Sequence, residues 1–177
     1  GRIIKALSGF YYIYADGNIY ACRGRGLFRN KKITPLVGDF ARFKVTNENE
    51  GYILDILERE NQLIRPPIAN VTQAVIVHSI TEPNFSAQLL DRFLVIVAAK
   101  RISPMIVLSK YDLAMDSEIE EVDRYKKDYE TLGYPVTYFS LSDERKPESI
   151  IEFLRDEVTV FMGQSGVGKS TILNAID

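Results

Sequence analysis

The sequence predicts two domains of different fold class, an all-β barrel over residues 1–65 and a doubly wound α/β domain over residues 66–177. Three observations support this prediction. Short stretches rich in aromatic and β-branched residues, separated by turn signals, occupy the first part of the chain. The pair Pro66-Pro67 then interrupts any helix or central strand. Beyond it, continuous apolar strands alternate with segments of helical period.

The first domain is predicted to fold as five short strands. Its apolar stretches "GFYYIYA", "NIYACR", "FARFKVT" and "GYILDIL" are divided by turn signals at Asp16-Gly17-Asn18, at Pro35 and between Asn47 and Gly51. Five strands in a segment this short suit a barrel of the oligonucleotide-binding (OB) type, with an SH3-like barrel as the alternative. Six aromatic residues are predicted to lie in strands with their rings in the core: Tyr11, Tyr12, Tyr14, Tyr20, Phe40 and Phe43.

The second domain is predicted to alternate strand and helix. Its strands are "QAVIVHSI", "SPMIVLSK", "YPVTYFS" and "VTVFM", and the helical segments between them are "SAQLLDRFLVIVAAKR", "SEIEEVDRYKKDYETLG" and "PESIIEFLRD". Such alternation indicates a parallel sheet with ligand chemistry at the carboxyl ends of its strands. His78 lies inside an apolar strand and is predicted to be a satisfied core histidine.

Composition and charge narrow the class of protein. Hydrophobic residues make up 46% and charged residues 26%, and no apolar run reaches the roughly 18 residues of a membrane span. The single cysteine, Cys22, cannot form an internal disulfide, which suits a reducing compartment and predicts the cytoplasm. Residues 1–65 carry 11 Lys and Arg against 7 Asp and Glu, whereas the remainder is acidic. The basic first domain is therefore expected to meet an anionic partner.

One segment after the last predicted strand has the pattern of a phosphate-binding loop, G-x-x-x-x-G-K-[ST]. Glycines let backbone N–H groups surround phosphate oxygens, and the helix that follows adds a favourable dipole. We expect Lys169 to reach the β- and γ-phosphates, Ser170 to ligate Mg²⁺ and Thr171 to border the α-phosphate. These positions are Gly163, Gln164, Ser165, Gly166, Val167, Gly168, Lys169 and Ser170.

A second segment is the candidate reader of the base. Ser109-Lys110-Tyr111-Asp112 ends a predicted strand, and the Asp112 carboxylate can accept hydrogen bonds from the ring N–H and the exocyclic amine of guanine. Lys110 would lie along the base and help to tie this loop to the glycine loop. Ser140, at the end of the next strand, is expected to support the guanine carbonyl oxygen through backbone N–H groups.

The order of these motifs is reversed relative to Ras-like proteins, because the base reader precedes the phosphate loop. Together with "CRGRGLFRNKKITPLVGDFARF", "RPPIANVTQAVIV", "LLDRFLVIVAA" and "GQSGVGKSTILNAI", this order makes the chain resemble the ribosome small-subunit-dependent GTPase A (RsgA) family of circularly permuted GTPases. The resemblance implies an N-terminal OB-fold, a permuted GTPase core that binds GTP or GDP with Mg²⁺, and a C-terminal zinc-binding domain.

The resemblance also implies a role in late maturation of the small ribosomal subunit, with hydrolysis of GTP stimulated by that subunit. It predicts a cytoplasmic monomer with no membrane partner. Carried over to this chain, Gly163 to Thr171 match the phosphate loop, Ser109 to Asp112 the guanine motif and Ser140 its supporting loop. Ser109 departs from the Asn or Thr of the family, and its shorter side chain is expected to tether the neighbouring loop less firmly.

The given sequence ends before any switch threonine, D-x-x-G stretch or zinc ligands of the family. It is therefore expected to be a fragment that hydrolyses GTP poorly, because Lys169 and Ser170 provide only part of the catalytic clamp. Two other functions remain open: an RNA-binding module with a GTP or GDP sensor that does not hydrolyse, and an ATP-using protein with a coincidental "SKYD". Competition of GDP against ADP distinguishes the last.

The basic residues of the first domain are predicted to bind ribosomal RNA. They neutralise phosphates while interleaved phenylalanines can stack on unpaired bases, as in many OB-folds. The alternative is a solvated rim of charge. The candidate RNA-binding residues are Arg23, Arg25, Arg29, Lys31 and Lys32.

Overall fold

Five strands at the start of the chain form one sheet in the computed structural model, which describes residues 1–24, 33–142 and 147–176. Strands β1 to β3 form an antiparallel meander, β3 pairs with β5 in parallel, and β5 pairs with β4 antiparallel. The sheet order is therefore β1-β2-β3-β5-β4. Their bounds are β1 Arg2–Leu7, β2 Phe10–Ala15, β3 Asn18–Gly24, β4 Ala41–Asn47 and β5 Glu50–Ile56.

Backbone contacts between the two outer strands close this sheet into a barrel. The amide of Ala41 donates to the carbonyl oxygen of Gly1 at 2.8 Å, and the amide of Ile3 donates to that of Asp39 at 2.8 Å. A five-stranded closed sheet with a parallel β3–β5 pair is the arrangement of an OB-type barrel. The prediction of an OB-fold is confirmed.

Alternation along the strands divides the aromatic residues between the inside and the outside of the barrel. The core contains Ile3, Ile13, Cys22, Ala41 and Ile53, with Tyr11, Tyr20 and Phe43 packed against it. The prediction that Tyr12 and Tyr14 lie in this core is wrong, because successive side chains of a strand point to opposite faces. Tyr14 is 50% exposed. Phe40 is also not a core residue, since it is 45% exposed and the Arg2 guanidinium lies 5.2 Å from its ring centroid.

A buried ion pair fastens the segment that leads into β4. Asp39 is fully buried, and its carboxylate accepts from Nε and Nη2 of Arg59 at 2.7 and 2.8 Å. The same carboxylate accepts from the amide of Leu36, while Arg59 also donates to the carbonyl oxygen of Thr34. The short strands β6 Gln62–Leu63 and β7 Ile68–Ala69 then complete the first compact unit, Gly1–Val71.

The second unit, Thr72–Asp177, is an α/β domain with a four-stranded parallel sheet in the order β10-β9-β8-β11. The element order follows the predicted alternation. Its strands are β8 Gln73–Ser79, β9 Ser103–Ser109, β10 Val136–Phe139 and β11 Thr159–Met162. Its helices are α1 Ala87–Ala99, α2 Asp116–Thr131, α3 Glu148–Leu154 and α4 Lys169–Ile176.

Helices cover this sheet because its central strands are apolar on both sides. Every residue of β8 is buried, with Val75 and Val77 packed in one cluster with residues of α3 and α4. Ala74 and Ile76 point the other way and are fully buried, and α1 contacts β8 and β9. The fold class predicted for this part of the chain is confirmed.

The boundaries of the helices have local causes. Ser86 begins α1 by accepting a hydrogen bond from the amide of Leu89 through its hydroxyl at 3.3 Å. At the start of α2 the Glu118 carboxylate accepts from the amide of Met115 at 2.8 Å. Gly133, at φ +90°, terminates α2 where a side chain would be strained. Within the described ranges, no helix combines the length and the apolarity that a membrane crossing requires.

His78 is buried, but it is not the satisfied core histidine that the sequence predicts. It is 2% exposed, its Nδ1 lies 3.2 Å from the carbonyl oxygen of Ser79, and its Nε2 has no hydrogen-bond partner among the described residues. The centroid of the Phe85 ring lies 5.1 Å from that of His78, and the centroid of the Tyr125 ring lies 5.2 Å from that of Phe85. Burial lowers the pKa of the His78 imidazole below its ordinary value because the charged form is desolvated.

Candidate nucleotide-binding site

The order of strands places a ligand crevice at the carboxyl end of β8 and β11. From β8 the chain proceeds outward to β9 and β10, and then returns to put β11 on the other side of β8. Such a reversal leaves the loops after the two neighbouring strands on opposite faces, which opens a crevice between them. The loop after β11 is the glycine-rich loop found in the sequence, so tertiary structure and motif identify the same place.

Glycine conformations shape the phosphate-binding loop. Gly166 and Gly168 have φ angles of +81° and +96°, a region that side chains rarely adopt. At Gly163 a Cβ atom would lie 2.3 Å from the carbonyl oxygen of Val77, so this residue must remain glycine for the loop to approach β8. Val167 is fully buried and anchors the loop in the core. The loop is therefore constrained by close packing as well as by its motif.

Lys169 lies at the first position of α4 with its side chain folded over the loop. Its Nζ donates to the carbonyl oxygens of Gly163 at 2.9 Å and Gln164 at 2.6 Å. An ammonium group has three donors, so one remains for an anion at this end of the site. These two hydrogen bonds hold the Lys169 ammonium group near the place where the motif predicts phosphate oxygens.

Ser170 and Thr171 follow on α4. Ser170 is exposed, and its hydroxyl has no hydrogen-bond partner among the described residues, so it is accessible to a cation. Thr171 lines a cavity beside the loop. Mg²⁺ binds proteins through one or two oxygen ligands and takes its remaining ligands from phosphates and water. A single accessible hydroxyl beside a phosphate-binding loop fits that requirement. Ser170 is the residue that would hold the ion.

Ser109 connects the base-reading segment to the phosphate loop. It is 1% exposed at the end of β9, and its Oγ donates to the carbonyl oxygen of Val167 at 2.6 Å. Its short side chain was expected to make a weak tether. The two loops lie close enough for a direct bond, since a Cβ at Gly168 would be 4.0 Å from the Ser109 Oγ. The short side chain is therefore matched to a short gap.

The sequence predicts that Lys110 helps to tie its loop to the glycine loop, but its side chain has a different partner in the structure. Its backbone is left-handed, at φ +61° and ψ +31°, and its Nζ donates to the carbonyl oxygen of Glu82 in the loop after β8. Its amide donates to the carbonyl oxygen of Phe139 at 3.1 Å. Lys110 thus joins the ends of β8 and β10 to the base-reading segment.

Asp112 lies in a short 3₁₀ turn, Tyr111–Leu113, and is exposed. It shares an open cavity of about 420 Å³, including its mouth, with residues from the phosphate loop and the adjoining helix. The two predicted motifs therefore meet in one cavity. The residues that line it are Ser109, Lys110, Asp112, Leu113, Phe139, Ser140, Leu141, Gly168 and Thr171.

Ser140 shapes the turn at the end of β10. It is 4% exposed, and its Oγ accepts from the amide of Ser142 at 3.0 Å and lies 2.7 Å from the Ser142 hydroxyl. This turn presents Leu141, which is 73% exposed although it lines the cavity. Leu113, on the other side, is 63% exposed. Apolar side chains exposed within a cavity suit a flat aromatic ligand.

Leu113, Phe139 and Leu141 were not identified as cavity residues from the sequence. Leu113 follows Asp112 directly, so its position in the motif is a signal that could have identified it. Phe139 is 8% exposed and belongs to the core as well as the lining, which no local pattern reveals.

The predicted RNA-binding residues lie in the other unit. Arg23 is exposed near the end of β3, with its guanidinium carbon 4.8 Å from the centroid of the Phe10 ring. The remaining four, Arg25, Arg29, Lys31 and Lys32, lie outside the described residues.

Family models match the two parts of the chain. A model described as RsgA GTPase matches residues 56–177, and a model described as RsgA N-terminal domain matches residues 1–53. The chain is 56% identical over 176 residues to the small ribosomal subunit biogenesis GTPase RsgA of Geobacillus kaustophilus, covering 99% of this chain and 60% of that protein. It is 51% identical to RsgA 2 of Oceanobacillus iheyensis, over 100% of this chain and 60% of that protein.

Solved structures match as well. The crystal structure of YloQ, a circularly permuted GTPase, has a TM-score of 0.84 at 50% identity and is covered over 63% of its length by the whole of this chain. That of YjeQ from Thermotoga maritima has a TM-score of 0.89 at 30% identity, over 100% of this chain and 64% of that one. The chain thus spans about 60% of the length of the curated relatives it matches.

Proposed function

The chain belongs to the RsgA GTPase family, and from this premise we propose that it binds GTP and GDP and that the protein hydrolyses GTP in the biogenesis of the small ribosomal subunit. One observation supports the nucleotide proposal above all others. Asp112, the candidate base reader, lines the same cavity as Gly168 and Thr171 of the phosphate-binding segment. Two segments far apart in sequence thus offer one ligand a donor-rich end and an acceptor end.

At the phosphate end, we assign binding to the backbone of Gly163 to Gly168 and to Lys169. N–H groups and the amino end of α4 favour anions, and the Lys169 ammonium adds a full charge. Lys169 and Ser170 are the proposed catalytic residues, because the charge that develops on the transferred phosphoryl group needs a cation and a held metal. Mg²⁺ on Ser170 would supply charge neutralisation there.

At the base end, Asp112 is the proposed source of specificity for guanine. Its carboxylate accepts from two adjacent donors of guanine, whereas adenine offers no such pair in that arrangement. The stem of Lys110 and the exposed Leu113 and Leu141 provide apolar surface for the ring. Ser109 keeps this end at a fixed distance from the phosphate loop through its bond to Val167.

A second function is favoured by the composition of the cavity. Among the described residues that line it, Lys110 and Asp112 are the ionisable ones, and both belong to the proposed base end. A protein that binds the nucleotide without hydrolysing it, and signals its state to an RNA-binding barrel, would need no more than this. Measuring GTP turnover with and without small ribosomal subunits distinguishes the two functions.

We further propose ribosomal RNA as the partner of the barrel, with Arg23, Arg25, Arg29, Lys31 and Lys32 as contributors. The proposal rests on the basic charge of the first part of the chain and on the small-subunit role that the names of its relatives state. Residues 1–65 and 66–177 are the proposed RNA-binding and nucleotide-binding domains. A cytoplasmic monomer, and zinc bound elsewhere in the whole protein, complete the proposal.

The proposal is tested by changing the base that the site prefers from guanine to xanthine. Asp112→Asn replaces one acceptor by an amide donor, which should disfavour the exocyclic amine of guanine and favour the carbonyl group of xanthine at that position. We expect GDP affinity to fall at least about 30-fold, as for the loss of a charged hydrogen-bond partner of about 2 kcal/mol, while affinity for XDP rises. ADP should compete with neither.

Asp156→Asn is the matched control, since Asp156 is exposed, lies outside the cavity and has a positive φ that asparagine tolerates. Fluorescent nucleotide titrations provide the readout. Equal competition by ADP and GDP in the unsubstituted protein would contradict the assignment of Asp112.

A further inference from the structure

Strand β2 presents a row of aromatic rings on the outside of the barrel. Phe10, Tyr12 and Tyr14 alternate with the inward residues Tyr11 and Ile13. Phe10 and Tyr12 are half-buried and Tyr14 is 50% exposed. Successive rings on one face of a strand stand about 7 Å apart, so each can contact a different planar group. The barrel core does not need these rings, because it is filled from the opposite face.

Cationic side chains on the neighbouring strands lie over two of these rings. Lys5 is opposite Tyr12 in the β1–β2 register, and its Nζ is 5.4 Å from the ring centroid. Arg23 is opposite Phe10 in the β2–β3 register, and its Cζ is 4.8 Å from the ring centroid. Both cations are exposed. Each pair is a cation–π contact between an exposed cation and a half-buried ring.

The alternation of ring and charge continues across the sheet. The parallel register places Arg23 opposite Tyr52, and the next pair places Tyr52 opposite Lys44. Residues opposite one another share a face of the sheet. A row of ring, guanidinium, ring and ammonium thus crosses β2, β3, β5 and β4. We call the surface made by Lys5, Phe10, Tyr12, Arg23, Tyr52 and Lys44 the stacking face.

The charge of this surface selects an anionic ligand. The three cations of this surface, Lys5, Arg23 and Lys44, outnumber Glu50, an exposed acid that the register places on the same face, opposite Ala21 and in line with Tyr12. Rings interleaved with cations in an exposed face are the combination that holds single-stranded nucleic acid, in which bases stack on rings or guanidinium planes and phosphates meet the charges. A paired base in an A-form helix does not expose its face to a side chain.

We propose that the stacking face binds unpaired RNA, with bases stacked on Phe10, Tyr12 and the Arg23 guanidinium and with phosphates held by Lys5 and Lys44. This inference rests on the proposed role of the barrel in RNA binding and names the part of the barrel and the form of RNA. It differs from the basic cluster predicted from the sequence, since only Arg23 belongs to both.

The test uses the whole chain and a fluorescent uridine oligonucleotide of about 12 nucleotides, within the range that one OB-fold covers. We expect binding of this single strand, with little binding of an RNA duplex of equal length. Tyr12→Ala and Phe10→Ala should each weaken binding by about 5- to 150-fold, the effect of losing one stacked base. Tyr12→Phe keeps the ring and should bind as the unsubstituted protein does.

The salt dependence of RNA affinity distinguishes the contribution of charge from that of base stacking. Lys5→Ala should lower the slope of log affinity against log salt by about 0.7, whereas Tyr12→Ala should leave the slope unchanged. Lys127→Ala removes an exposed charge from α2 in the other unit and serves as the matched control. Circular dichroism and GDP affinity report whether each variant is folded.

Two results overturn the inference: an affinity for single strands that Tyr12→Ala and Phe10→Ala leave unchanged, or equal affinity for duplex and single strand. The absence of any oligonucleotide binding, which would leave the face to a protein partner, overturns it as well. Failure of GDP binding with intact binding of the single strand would instead refute the proposed nucleotide site. The two proposals can therefore fail separately.

Discussion

A buried polar contact joins distant segments in each unit of this chain, and two such contacts, Asp39 with Arg59 and Ser109 with Val167, differ in kind. In the barrel, the buried Asp39 pairs with Arg59 through two hydrogen bonds at 2.7 and 2.8 Å. In the α/β domain, Ser109 bonds the carbonyl oxygen of Val167 at 2.6 Å. The first contact buries a full charge and fastens a loop, whereas the second is neutral and joins two ligand-binding loops.

The two contacts are expected to affect different properties, because a buried charge and a buried hydroxyl differ in the cost of losing their partners. A buried carboxylate is unstable without its partner, so removal of Arg59 or Asp39 acts on folding. A buried hydroxyl is tolerated at much lower cost, so the Ser109 bond can position a binding loop without determining whether the domain folds. The strength of a buried polar contact therefore does not indicate its importance for function.

The largest expected effect is the loss of the charged contact. Asp39→Ala leaves Arg59 without its carboxylate and frees the amide of Leu36, and should lower the free energy of unfolding by about 3 kcal/mol. The estimate is at the low end for a buried pair because the Arg59 side chain is 20% exposed. Urea denaturation followed by circular dichroism measures the change. Retention of wild-type stability would show that the two contacts do not differ as argued.

The second expected effect is on the phosphate loop. Gly163→Ala puts a Cβ atom 2.3 Å from the carbonyl oxygen of Val77 and should displace the loop from β8. Because backbone N–H groups form the phosphate site, we expect GDP affinity to fall by more than about tenfold, or roughly 1.4 kcal/mol. Gly9→Ala, at a turn where an added Cβ meets nothing within 4 Å, is the control for loss of glycine at positive φ. Titration with fluorescent GDP gives the comparison.

The third expected effect is smaller and concerns the hydrogen bond from Ser109 to Val167. Ser109→Ala leaves the Val167 carbonyl without its donor and should weaken GDP binding by about 5- to 10-fold, corresponding to roughly 1 kcal/mol. The free energy of unfolding should change by about 1 kcal/mol at most. Ser109→Thr keeps the hydroxyl and should retain most of the affinity. A loss of stability as large as that of Asp39→Ala would refute the functional interpretation of this bond.

The smallest effect concerns His78, a buried polar group with an unpartnered nitrogen. Its pKa is lowered by burial in the folded state, so the unfolded chain binds more protons between that lowered pKa and about 6.5. Stability is therefore complete above pH 6.5 and decreases as the pH falls through this window, by at most about 1.4 kcal/mol per pH unit. His78→Leu should flatten the curve of unfolding free energy between pH 7 and 5.5. An identical slope in both proteins would contradict the assignment.

Much of the fold and of the site was predictable because its signals are local. The switch from strand-like to helix-alternating patterns identified both fold classes, and the spacing of glycines identified the phosphate loop at Gly163 to Ser170. The position of Asp112 at a strand end also follows from the order of short segments. The family models and the solved structure of YloQ then confirmed the resemblance to the RsgA family and the permuted order of the GTPase motifs that the sequence indicated.

Errors arose where a local pattern does not specify direction or partner. Tyr12 and Tyr14 have the composition of core residues, but the β-strand period places them outside once Ile13 is inside. Lys110 was expected to reach the glycine loop and instead contacts Glu82, because the loop after β8 lies nearer.

The two fold classes, the phosphate loop and the candidate base reader could all be inferred from the amino-acid sequence, since each depends on residues adjacent in the chain. Three features required the folded structure: Asp112 and Gly168 share a cavity, the Ser109 hydroxyl spans the gap between their loops, and rings and cations alternate across the barrel. These features join residues from different strands. Their distances are set by sheet order and register, which pairing across the whole sheet determines.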